Sequence, residues 1–176
     1  MEFQELLKRR QSCRAYDPAR PVAREDLDAC LDAVRLSPSA CNAQPYHLTV
    51  CTGAMARQAA ACVQSMGMNQ FAAGAPCLIV FSESGYNATA AVGSRFKGQD
   101  YRSVDIGIAA AHLTFAAADR GLGTCILGWF DEKKLQSLLH LKSRVRLVVA
   151  LGWPEAGDPL RPKVRKDAAE LADFQD

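Results

Sequence analysis

Between Val104 and Arg120 the chain reads Val-Asp-Ile-Gly-Ile-Ala-Ala-Ala-His-Leu-Thr-Phe-Ala-Ala-Ala-Asp-Arg. Alanine and glycine dominate this stretch, and apolar residues recur at helical spacing. A helix with so little side-chain bulk must lie close to neighbours on several sides. Gly121 follows it and is placed to cap it in a left-handed conformation. The rest of the chain therefore has to supply layers that pack on this helix.

Those layers are legible in outline. The short apolar run Pro76-Cys-Leu-Ile-Val-Phe81 suits a buried central strand. Residues 47–51, 124–127 and 144–152 read as three further strands, the last ending at Trp153-Pro154. Phe3, Leu6 and Leu7 suggest an opening helix over residues 2–10. A second helix is predicted from Arg24 to about Leu36, with Leu27, Cys30, Leu31 and Val34 on its apolar face. Glu25 and Asp26 suit its N-terminal end, and Pro38 stops it. Further helices are expected at about 54–66, extending toward Phe71, and at 132–139. The polar, glycine-punctuated segment 82–102 is expected to form a loop or mobile cover, and residues 155–176 a C-terminal extension. With no internal repeat and no linker, residues 1–176 read as a single α/β or α+β domain around a sheet.

Composition narrows the function classes. A chain of 176 residues can bury roughly 70% of the surface it exposes when extended. Its 21 basic and 19 acidic residues leave a formal charge of +2, which points to no nucleic-acid partner but allows a local anion site. Seven cysteines at wide spacing include no CxxC pair, and His47, His112 and His140 show no ligand spacing. Thiols in a reducing compartment and no metal site are expected. The first ten residues lack the apolar core of a signal peptide, and no apolar run reaches the ~18 residues of a membrane span. A cytoplasmic protein with no membrane partner is the expectation.

Four local features could carry chemistry. Lys8, Arg9, Arg10 and Arg14 surround Gln11 and Ser12. They are either a solvated helix end or a phosphate clasp, for which the planar arginine fork is suited. Between Pro38 and Pro45, Ser39, Asn42 and Gln44 could form a plain turn or hydrogen-bond a polar heteroaromatic ring. Gly121, Gly123 and Gly128 could serve a cap and a turn, or let backbone N–H groups approach a planar ligand. The run Arg161-Pro162-Lys163-Val164-Arg165-Lys166 is either a solubilising tail or a second cationic cluster. No P-loop, GxGxxG, GxSxG or HExxH pattern occurs.

Taken in order, these segments resemble the nitroreductase family. The N-terminal part of the resemblance is Arg10-Gln11-Ser12-Cys13-Arg14, Pro21-Val22, and Pro38-Ser39-Ala40-Cys41-Asn42-Ala43-Gln44-Pro45-Tyr46-His47. The C-terminal part is Asp105-Ile-Gly-Ile-Ala, Gly121-Leu-Gly-Thr-Cys, Gly128-Trp-Phe-Asp131 and Leu151-Gly-Trp-Pro154. Together they run from about residue 3 to 166. The resemblance implies an α+β, three-layer α/β/α fold: a mostly antiparallel sheet flanked by helices, in an interlocked homodimer.

It also implies bound, non-covalent FMN. Arg10, Gln11, Ser12 and Arg14 would meet the FMN phosphate and ring edge, and Lys163 and Arg165 would close around the phosphate. Ser39, Ala40, Asn42 and Gln44 would enter the site from the partner subunit. Asn69 would touch the flavin, and the backbone of Leu127, Gly128 and Trp129 would lie along the isoalloxazine. NADH or NADPH would deliver a hydride to flavin N5, and a nitroaromatic, quinone or similar small acceptor would then take its place. No side chain need act as acid, base or nucleophile, and no cysteine should be essential. The larger enzymes of the family border the ring with a Glu-Gly pair, where this chain has Ile126-Leu127-Gly128. That departure leaves open a specialised relative of dehalogenase, flavin-destroying or azoline-oxidase type, or a non-catalytic flavin-binding module.

Overall fold

The strand of highest apolar content organises the molecule. In a computed structural model that describes residues 1–86 and 98–175, β2 (Cys77–Glu83) is buried along its length up to Ser82. It pairs antiparallel with β1 (Tyr46–Thr52) on one side and β4 (Val145–Gly152) on the other. β3 (Gly123–Leu127) pairs antiparallel with β4, so the order is β1-β2-β4-β3.

Alternation along the central strands divides the core in two. Leu78, Val80, Val148 and Ala150 face one cluster, with Ala56, Ala59, Ala60 and Val63 of α3 (Gly53–Val63) and Leu135 of α5 (Glu132–Leu139). Cys77, Ile79, Phe81, Val149 and Leu151 face the other. That second cluster holds Leu27, Cys30 and Val34 of α2 (Arg24–Arg35) and Ile106, Ala109, Ala110, Leu113 and Ala117 of α4 (Arg102–Asp119). The result is an antiparallel sheet flanked by helices on both faces, an α+β fold. The small residues of α4 bring it close to α2 and the sheet, and Gly121 follows with φ +81°.

Several boundaries differ from expectation. The helix expected to run toward Phe71 ends at Val63, because Met66, Gly67 and Asn69 all take positive φ and break the helical hydrogen-bond ladder into short turns. Asp26 stands in the first turn of α2 as expected, and tertiary structure adds a second role. It is buried and ion-paired with Arg120, just beyond α4. β2 extends to Glu83 and α4 begins at Arg102, which shortens the expected loop at both ends; its residues 87–97 lie outside the described residues. Beyond β4 the extension carries a short helix, α6 (Ala168–Leu171), opened by a capping box between Asp167 and Glu170. The opening helix, α1, spans Phe3–Arg9.

Candidate functional site

The segment after α1 leaves the helix at Arg10 and runs beside the sheet. Ser12 forms a parallel bridge with Thr124 of β3, and the Cys13 N–H donates to the Thr124 carbonyl at 2.8 Å. Tyr16 then bridges to Pro154, and its hydroxyl donates to the Ala150 carbonyl. Residues 10–16 are thereby fixed to the β3–β4 edge. Gly123 is required here, because a Cβ would lie 2.7 Å from both Cβ and Sγ of Cys13.

The C-terminal extension returns to the same place. Arg10, Gln11, Ser12 and Arg14 line one cleft of about 320 Å³ with Arg161, Pro162, Lys163 and Arg165. The structure thus brings together the six sequence-predicted residues at positions 10–14, 163 and 165. The Lys163 ammonium donates to the Arg10 carbonyl at 2.7 Å. Its pKa is lowered, first by partial desolvation where the exposed side chain leans on the chain, then by the positive charges of Arg10 and Arg165. Cations held this close repel one another unless an anion lies between them.

A second group gathers where β3 ends. Leu127 is buried, Gly128 and Trp129 are exposed, and a Cβ on Gly128 would meet nothing within 4 Å. The Trp129 backbone is held from the side by Asn69, whose amide donates to the carbonyls of Val63 and Trp129 at 3.1 and 3.0 Å. The Trp129 indole donates to the Ser65 carbonyl. Arg14 lies over the Phe71 ring at 5.9 Å, which links this group to the cationic cleft.

Ser39, Ala40, Asn42 and Gln44 are elsewhere. Their loop leads into β1, at the far edge of the sheet from Ser12. Register makes the separation explicit: Thr52 pairs with Cys77, Cys77 with Leu151, Leu151 with Thr124 and Thr124 with Ser12, whereas the loop joins β1 at its opposite end, Tyr46. The loop and Ser12 occupy diagonal corners, roughly 20 Å or more apart at ~3.3 Å per residue and ~4.8 Å per strand. Within one chain they cannot touch the same atoms.

That loop is held under strain. Cys41, Asn42 and Gln44 take φ of 52°, 49° and 46°, a conformation costly for residues with a Cβ. The Gln44 N–H donates to the Ser39 hydroxyl, and the Gln44 side chain to Asn42. From below, the Ala40 N–H donates to Oδ1 of Asp105 at 3.0 Å. Asp105 is buried in the first turn of α4, and its Oδ2 has no hydrogen-bond partner among the described residues.

The thiols are mostly core. Cys13, Cys30, Cys51, Cys62, Cys77 and Cys125 are buried, and Cys41 is exposed. Burial pushes the Cys30 and Cys51 thiols up to about 11 and Cys77 up to about 12. Thiols held that far from ionisation are poor nucleophiles. Among the described residues no group of three or more His, Cys, Asp or Glu side chains could hold a metal, and no helix is long and apolar enough to cross a membrane.

The sequence profile of the nitroreductase family matches residues 7–66 and 55–153, which takes in both strand edges and the loop between them. The chain belongs to the nitroreductase family. A Bacillus subtilis (strain 168) relative, YdgI, named provisionally as an NAD(P)H nitroreductase, is 24% identical over 187 residues, covering 89% of this chain and 90% of its own. A solved nitroreductase family protein from Clostridium novyi NT is 25% identical, with a TM-score of 0.75 and coverage of 89% and 87%. Two more distant structures share the fold. A nitroreductase-like protein from Streptococcus mutans has a TM-score of 0.84 at 16% identity, with coverage of 99% and 98%. One from Exiguobacterium sibiricum 255-15, solved with FMN, has 0.83 at 17% identity and the same coverage.

Three residues around this candidate site were not among those the sequence singled out for it. Arg161 belongs to the run left open between a solubilising tail and a second cationic cluster, and it lines the cleft and donates to the Ser12 carbonyl at 3.0 Å. Asp158 ion-pairs with Arg161, and its side chain is 8% exposed. Asp105 supports the loop from 65 positions away. The signals were the basic run for Arg161, its place in a family segment for Asp105, and for Asp158 only its spacing three before an arginine.

Proposed function

We propose that this chain is an FMN-dependent oxidoreductase of the cytoplasm that carries hydride from NADH or NADPH to a nitroaromatic, quinone or similar small acceptor by a ping-pong route, as a homodimer. The observation that carries the proposal is the meeting of Arg10, Ser12 and Arg14 with Lys163 and Arg165 around one cleft, in a chain of this family. The donor set fits FMN: four cations and a hydroxyl suit a phosphate dianion. Bound FMN supplies a hydride-accepting and hydride-donating N5, so no side-chain acid or base is needed.

The chain's own residues then have distinct tasks. Arg10, Arg14, Lys163 and Arg165 bind the phosphate, with Ser12 donating a further hydrogen bond. The Leu127–Trp129 backbone, fixed by Asn69, offers N–H groups to the ring edge at a position where Gly128 leaves the approach open. Backbone donors there would stabilise negative charge on a reduced ring, as oxyanion donors do. Ile126 and Leu127 stand where larger enzymes of the family place an acidic residue, so the acceptor would meet a less charged border.

The partner subunit would supply Ser39, Ala40, Asn42 and Gln44. Two features support this. The loop lies at the diagonal corner of its own sheet, and α4 leaves Val104, Ile108, Ala111 and Phe115 as an incompletely covered apolar stripe beside Phe3. A two-fold axis through that stripe would carry one copy's corner toward the other's.

The test is an absorbance spectrum of the purified protein followed by anaerobic titration with NADH and NADPH. A flavin spectrum bleached by either nucleotide and restored by menadione or a nitroaromatic is expected. A colourless protein that cannot be reconstituted with FMN would overturn the reading. Bound flavin that neither nucleotide reduces would favour a binding module instead.

A further inference from the structure

Gln11 lies between two residues of the proposed phosphate site, yet its own side chain points its hydrogen-bonding groups elsewhere. Its Nε2 donates to the Pro159 carbonyl at 3.1 Å, and its Oε1 accepts from the Arg161 N–H at 3.0 Å. One carboxamide thus reads an acceptor and a donor on the C-terminal extension, as a peptide group on a neighbouring strand would. The partners lie 148 and 150 positions away.

The neighbours of Gln11 complete the attachment. Arg161 donates to the Ser12 carbonyl at 3.0 Å, and Lys163 to the Arg10 carbonyl at 2.7 Å. Three consecutive residues therefore hold the extension, through two carbonyls and one side chain. The Arg161 charge is offset by Asp158 at 3.0 Å, so Arg161 works as a strut. Among the described residues, the cations delivered to the cleft without an ion-pair partner are Lys163 and Arg165, and both side chains are exposed. Nothing else in this stretch is buried, and Pro162 has no N–H to offer. Without the Gln11 contacts, the ordering of residues 159–165 would rest on Arg161 and on an exposed lysine.

We infer that Gln11 is a positioning residue: its side-chain amide latches the C-terminal extension so that Lys163 and Arg165 face Arg10 and Arg14 across one anion site. This rests on the FMN reading for the identity of the anion, but the latch itself does not. Gln11 would act on phosphate affinity only through the cations it holds in place.

Two measurements test it. In the unliganded protein, tryptic cleavage after Lys163 and Arg165 should be about tenfold faster in Gln11→Ala, the scale of one or two lost hydrogen bonds. Gln11→Glu keeps the acceptor for the Arg161 N–H but loses the donor to Pro159, so its cleavage rate should fall between those of Gln11→Ala and wild type. For ligand binding, Gln11→Ala should weaken FMN about tenfold and leave riboflavin unchanged. That penalty should vanish in a Lys163→Ala/Arg165→Ala background, where there is nothing left to position. Unchanged cleavage in Gln11→Ala would overturn the latch. So would an FMN penalty that persists in the cation-deleted background, because Gln11 would then be a direct ligand. A wild-type protein that binds neither FMN nor riboflavin would overturn the proposed function, while the cleavage rates would still decide the latch.

Discussion

Asn69 donates to the carbonyl of Trp129, 60 positions further along the chain, while itself held at φ +53°. The same amide nitrogen donates to Val63, the last residue of α3. One side chain therefore ties the end of α3 to the end of β3, and it does so from a backbone conformation that asparagine tolerates better than most residues.

Separate substitutions can divide those two contributions. Asn69→Ala should lose about 1–2 kcal/mol of stability, from lost hydrogen bonds and the cost of alanine at positive φ. Asn69→Gly should recover the backbone share and leave only the hydrogen-bond loss. Urea denaturation of the three proteins measures this, and equal losses in both variants would show that the conformation carries no cost.

The cationic cleft makes a prediction that a ligand pair can read. Arg10→Ala should reduce FMN affinity by about 2–5 kcal/mol, the order for truncating one member of a buried, hydrogen-bonded charge pair. Lys163→Ala should cost less, because its side chain is exposed and its charge is screened. Riboflavin lacks the phosphate, so both variants should bind it like wild type. Asn42→Ala or Gln44→Ala, expected at the ring, should weaken both ligands alike. Isothermal titration with each ligand is the measurement, and equal loss of FMN and riboflavin in Arg10→Ala would remove Arg10 from the phosphate site.

Acid stability should depend in part on Asp100. Asp100 accepts from the Tyr86 hydroxyl and the Arg102 guanidinium, each at 2.9 Å, and from Arg146 at 2.9 Å. Arg102 and Arg146 also pair with Glu83. Chiefly through the hydrogen bond from Arg102, the Asp100 carboxyl is held well below the usual carboxylate range. A folded-state pKa below the unfolded value of about 3.9 gives stability that is fully present above that pH and is lost as pH falls toward the folded value. The difference in Tm between wild type and Asp100→Asn should therefore be largest near neutrality and shrink below about pH 4. A difference that is constant with pH would mean that ionisation of Asp100 contributes nothing.

How much of this was legible in the sequence depends on the range of the interaction. The 132–139 helix and the buried strand after Pro76 were readable because periodicity and apolar runs are local. The end of α3 was not, because Met66 takes a left-handed conformation that its residue type does not announce. Gln11 was expected among the cofactor-binding residues, and its contacts with Pro159 and Arg161 were not readable, since both partners lie about 150 positions away. The meeting of Arg10 and Arg14 with Lys163 and Arg165 was available only through family resemblance, for the same reason. Asp26 was half legible: it stands in the first turn of α2 as the local rule expects, while its ion pair with Arg120 is a tertiary contact that no local pattern announces.

The diagonal placement of the two half-sites gives the last prediction. If residues 38–45 of one subunit complete the cleft of the other, FMN binds the dimer better than the monomer and must strengthen association by mass action. At FMN a hundredfold above its Kd, that linkage amounts to about 2.7 kcal/mol per site if the monomer binds none. Val104 offers a way to break the proposed dimer at a residue outside both proposed half-sites. It is 46% exposed, lies in the first turn of α4 and belongs to the uncovered stripe with Ile108 and Phe115. Glutamate suits a helix N-terminus, so Val104→Glu should fold while placing a charge in the interface. The variant should sediment as a monomer and bind FMN at least tenfold more weakly, although residues 10–14 and 161–165 are unchanged. Sedimentation velocity of both proteins across a range of FMN concentrations checks this. A Val104→Glu monomer that holds FMN as tightly as wild type would show that each cleft is complete within its own chain, and that the strained loop at 38–45 serves something other than the partner's flavin.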